Sequence, residues 1–225
     1  DNPAISPRPR PQWVEYDAMG QFYGWGAFPC FMADDIRRRL GHATANGVSG
    51  GLFRVEWERI NDWWALDNLN ALNAVAAARL GREPGASNAD ICAEWLAAEG
   101  YPASAAPWLA QTLALSWPAI RDALYIDDFL FSDCSMFPRS VGRAWWTMEV
   151  KHSLEDWAPQ YRGRLALDAA RLDALLAQKR RARAAAAALR ARVAEGDAAV
   201  PEALRARLGA AMRMLERYTE GMELC

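Results

Sequence analysis

Trp13-Val14-Glu15-Tyr16-Asp17-Ala18 and Gly51-Leu52-Phe53-Arg54-Val55-Glu56-Trp57 are the two stretches on which the fold turns. Both read as β-strands, because side chains alternate between two faces along an extended chain. In the first, Glu15 and Asp17 share one face, and Val14, Tyr16 and Ala18 take the other. In the second, Arg54 and Glu56 share a face opposite Phe53, Val55 and Trp57. A parallel strand buried on both sides is a continuous apolar run. These two are apolar on one side only. The expectation is that the apolar faces pack on helices and the charged faces line a polar interior.

The segment between them supports a parallel pair. Residues 19–32 form a loop rich in Gly and aromatic residues. Asp34 and Asp35 then open a helix, where their charge suits the N-terminal dipole. Ile36, Leu40 and Ala43 follow at helical spacing. Asn46-Gly47 stops the helix through a left-handed residue. The unit is strand, loop, helix, strand, and such crossovers join parallel strands.

Beyond residue 64 the pattern is helical. Helices are expected over 65–80 (Leu66, Leu69, Leu72, Leu80, with a stop at Gly81) and from Ser87 to near Gly100. Ser87 and Asp90 have the spacing of a capping box. Ser104 is expected to cap a third helix, carrying Trp108, Leu109 and Leu113, which Pro118 ends or kinks. Residues 126–160 read as irregular and aromatic-rich. A long helix is expected over 161–195 and a second, returning antiparallel, over 202–221, with Gly196 and Pro201 between them.

The chain has 225 residues, is 52% hydrophobic and carries a net charge of −2, so it can bury a core and has no global pull toward nucleic acid or anionic membrane. The basic run 179–192 reads as a solvated helix face, because no aromatic or Gly-rich element interleaves it. No apolar run is long enough for a membrane span. Residues 1–12 are Pro-rich and extended, and lack the apolar core of a signal peptide. Cys30, Cys92, Cys134 and Cys225 show no metal or disulfide spacing and read as ordinary thiols. With two histidines, His42 and His152, a His-rich metal site is not expected. No metal, nucleotide or flavin motif is present, so no cofactor is expected.

Two strands do not close a sheet. The expectation is therefore that further strands come from sequence outside this chain. The order of elements resembles the end of a TIM-barrel glycoside hydrolase of the α-glucuronidase type. The residues that carry the resemblance are Val14-Glu15-Tyr16-Asp17, Gly20 to Cys30, Gly50 to Trp57, and Asn70-Ala71-Leu72-Asn73. The resemblance implies that residues 1–64 are the last β/α units of a (β/α)8 barrel. Residues 65–225 would be a helical C-terminal domain, predominantly α, ending in the antiparallel pair.

The resemblance places the active site at the C-terminal ends of the barrel strands. Glycosidic cleavage uses two carboxyl groups, one protonating the leaving oxygen, the other acting as base or nucleophile. Glu15, Asp17 and Glu56 are the candidates for that chemistry. Arg54 would hold neighbouring carboxylates ionised or grip a uronate through a two-pronged contact. Tyr23 and Trp25 would stack on sugar rings, with Glu58 and His152 as further substrate contacts. The competing reading is structural: the charges position loops by ion pairing, the aromatic rings cover the barrel top, and His152 is a hydrogen-bonded structural histidine. The partners implied are a carbohydrate and, through the C-terminal helices, a second copy of the chain. The function implied is that of a carbohydrate-active enzyme. The alternatives are a non-catalytic carbohydrate-binding unit and a helical interaction module.

Overall fold

The computed structural model describes residues 5, 7, 10–17, 28–55, 68–126, 129–130 and 168–224. Strand β1 (Gln12–Asp17) leads to helix α1 (Ala33–Ala45) and strand β2 (Val48–Arg54). The two strands pair in parallel, with Glu15 opposite Leu52 and Asp17 opposite Arg54. The strand–helix–strand reading holds, with one correction. β2 begins directly after the turn at Gly47 (φ 76°) and ends at Arg54, so Glu56 and Trp57 lie past it. The pairing with β1 sets this length, since Asp17 meets Arg54 at the end of both strands.

The apolar face turns toward α1, as expected, and is half-buried there. Val14 and Tyr16 are half-buried while Trp13 and Glu15 are exposed. The Tyr16 ring lies 5.6 Å from that of Phe53 across the pair. Its hydroxyl donates to the Arg39 carbonyl of α1 at 3.3 Å. Burial holds the Tyr16 phenol above its ordinary pKa.

The rest of the described chain is helical: α2 (Ala71–Arg82), α3 (Asn88–Ala98), a short 3₁₀ turn (Ala103–Ala105), α4 (Ala106–Ala114) and α5 (Ser116–Leu124). A two-residue antiparallel pair, β3 (Tyr125–Ile126) and β4 (Phe129–Leu130), follows. Then come α6 (Ala169–Glu195) and α7 (Glu202–Leu224). The observed architecture is mostly helical with a small parallel sheet, and no barrel is present among the described residues.

Several boundaries differ from expectation for local reasons. α2 starts at Ala71 instead of 65 and runs through Gly81. Its stop comes from Pro84, which drives Glu83 into an extended conformation (φ −137°, ψ 85°). Ser104 lies inside the 3₁₀ turn and caps nothing. Pro118 breaks the helix as expected: it cannot donate to the Ala114 carbonyl four residues back, α4 ends at Ala114, and Pro118 becomes the third residue of α5. α6 begins at Ala169, with Asp168 accepting from the Arg171 amide at 2.8 Å.

The capping box at α3 is present. The Asp90 amide donates to Ser87 Oγ at 3.1 Å, and the Ser87 amide donates to Asp90 Oδ2 at 2.9 Å. Ser87→Ala should therefore lower the unfolding free energy by about 1 kcal/mol. Chemical denaturation would check this, and an unchanged midpoint would mean that water replaces the cap.

α6 and α7 are antiparallel, as Arg180 pairs with Glu223, Arg183 with Glu220 and Arg190 with Glu216. Their seam is built by Ala182, Ala186, Leu189 and Val193 against Leu204, Leu208, Met212 and Leu215, all buried. The small alanines allow α6 to sit close to its neighbours. A single apolar cluster runs from Phe28, Cys30 and Ile36 through α2–α5 to Met222. At its edge, Arg207 of α7 stacks 5.4 Å over the Trp95 ring of α3 and pairs with Glu99. Among the described residues, no helix is long and apolar enough to cross a membrane.

Candidate functional site

The parallel pair brings two of the expected residues together. Arg54, the last residue of β2, donates from its guanidinium to Glu15 Oε1 of β1. The pair is diagonal, because Glu15 is level with Leu52 and Asp17 is level with Arg54. Glu15, Asp17, Leu52 and Arg54 thus belong to the sheet face turned away from α1, at the C-terminal ends of both strands. The ion pair is partly open to solvent, so its net worth to stability is small. Its value is geometric: it fixes where one carboxylate and one guanidinium stand.

The same face is not wholly polar. Trp13 is 72% exposed and Leu52 57% exposed. The Trp13 indole lies across Gly50, where an added Cβ would stand 2.9 Å from the ring. A side chain at position 50 would therefore displace the exposed Trp13 ring.

For the other expected positions, the structure places Asp17 by its backbone only. Glu56, Glu58, Tyr23, Trp25 and His152 lie outside the described residues. So do Trp57 and residues 131–160 of the segment read as irregular. Among the described residues, no group of three His, Cys, Asp or Glu side chains is arranged to hold a metal. Cys30 and Cys92 are free, buried thiols. Burial pushes the Cys30 thiol far up, and Cys92 up to about 12, so neither is a ready nucleophile.

One buried polar construction among the described residues was not announced by the sequence. Residues 28–32 lead into α1 without regular structure, and two carboxamides grip them. Asn70 Nδ2 donates to the Phe28 carbonyl and Asn70 Oδ1 accepts from the Cys30 amide, both at 2.8 Å. Asn73 Nδ2 donates to the Cys30 carbonyl at 2.7 Å, and Asn73 Oδ1 accepts from the Met32 amide at 2.9 Å. Ser116 Oγ accepts from the Phe31 amide at 3.1 Å and donates to the Leu113 carbonyl at 2.6 Å. The Phe28 ring rests 4.5 Å from that of Tyr218. Asn70, Asn73 and Ser116 are all buried. The helical part of the chain therefore pins the backbone that enters α1. The signal was two asparagines three residues apart at the start of an apolar helix, where a polar pair needs buried partners.

Lys179 requires a correction. It belongs to no solvated face: it is buried, and its Nζ donates to the carbonyls of Asp122, Ala123 and Tyr125 at 3.0, 2.8 and 2.7 Å. These are acceptors at the end of α5, where helical carbonyls lack intrahelical partners and a cation suits the dipole. Burial draws the ammonium down to about 8, with Asp122 opposing. The spacing 179-182-186-189-193 could have revealed it, since that period puts Lys179 on the buried seam. Elsewhere in the basic run the side chains are engaged within the chain: Arg180, Arg183 and Arg190 with glutamates of α7, Arg181 with Asp122, Arg192 with Thr112.

Comparison with protein-family models, with curated proteins and with solved structures gives no match to this chain.

Proposed function

We propose that this chain is part of a carbohydrate-active enzyme that hydrolyses glycosidic bonds, and that β1–α1–β2 is a β/α repeat of a (β/α)-barrel. The observation that carries the reading is the Glu15–Arg54 pair. It sits at the C-terminal ends of two parallel strands, on the face turned away from α1. That is where barrel enzymes gather their chemistry. The other face turns toward helix α1, as a barrel's outer face does.

In this reading Glu15, held against a cation, takes the anionic role of base or nucleophile. Asp17 and Glu56 are the remaining carboxyls from which a proton donor would come. Two carboxyls in these roles are what glycosidic cleavage needs. Arg54 also offers the planar donor fork that suits a uronate carboxylate. The aromatic rings of Tyr23 and Trp25 would face the sugar, with Glu58 and His152 as further contacts. The clamp of Asn70 and Asn73 on residues 28–32 supports this arrangement by fixing the backbone between β1 and α1 on its α1 side.

The test is a glycosidase screen of the complete protein on uronic-acid and neutral aryl glycosides. Glu15→Gln should lower turnover at least about tenfold, a loss of about 1.4 kcal/mol of transition-state stabilisation. Arg54→Ala should raise KM for uronides more than for neutral glycosides. No hydrolysis of any substrate by the unmodified protein would move the reading to a sugar-binding or helical interaction module. Turnover unaffected by Glu15→Gln would make the ion pair structural.

A further inference from the structure

We draw no further inference here: the strongest candidate, the open apolar groove of about 980 Å³ between the β1–β2 sheet and helices α1 and α2, lined by Val14, Phe53, Leu40, Ala77 and Gly81, carries nothing because nothing in the structure shows what covers it.

Discussion

Asn73→Leu should lower the unfolding free energy by about 2–5 kcal/mol, with a similar loss for Asn70→Leu. Leucine shares the branched skeleton of asparagine and is bulkier, so the substitution leaves no cavity and adds some crowding to the loss. It removes both hydrogen bonds to the backbone and leaves the Cys30 carbonyl and the Met32 amide without partners. An orphaned buried group costs about 1–3 kcal/mol of desolvation, well above the net worth of an ordinary hydrogen bond. Denaturant titration should show a lower midpoint with an unchanged slope. The Asn73→Asp variant sharpens the argument. At neutral pH it sets a carboxylate oxygen against the Cys30 carbonyl, where the native side chain donates. Protonation restores a donor, so the deficit of Asn73→Asp relative to the native protein should shrink on acidification. A loss below about 1 kcal/mol for both leucine variants would mean that water or a small backbone shift satisfies residues 28–32.

Lys179→Met should be the second large effect, a loss of about 2–4 kcal/mol at pH 7. Methionine preserves the long apolar stem but abandons three carbonyls at the end of α5. Lys179→Arg should not restore them, because a planar fork does not reproduce a tetrahedral ammonium. The pH dependence follows from the lowered pKa. With the folded value near 8 and the ordinary value at 10.5, the unfolded chain holds the proton more tightly between those limits. In that window the unfolded state binds more protons, so native stability rises with pH. Below about pH 8 both states are protonated and the term is flat. The gap between the native protein and Lys179→Met, read as unfolding midpoints at pH 7.5 and 9.5, should therefore widen with pH. A gap that narrows would show that the carbonyls and the helix dipole hold the ammonium more firmly than burial weakens it.

These two sites show unequal legibility. The α3 capping box was readable because its partners are three residues apart, Ser87 and Asp90. The stops at Gly47 and Gly196 were readable for the same reason: a left-handed residue is a property of one position. Gly81 misled because a helical glycine costs too little to end a helix that packing stabilises. Lys179 misled because a run of basic residues looks solvated until the neighbouring helix end is known. That Arg54 stands beside a carboxylate was read from the charged faces of the two strands, but which carboxylate was not. Glu15 lies 39 residues away, and only the register of the parallel pair brings it within reach.

By itself, then, the order of residues determined the local elements: two one-sided strands joined through a helix, and a helical remainder closed by an antiparallel pair. Those follow from alternation, helical periodicity and caps, which act over a few residues. Only the tertiary structure decided the destinations of the buried polar groups: Asn70 and Asn73 on residues 28–32, Ser116 on Phe31, and Lys179 on the end of α5. A buried donor must find an acceptor, but which one it finds is set by how the helices pack, across 40 to 85 residues of chain.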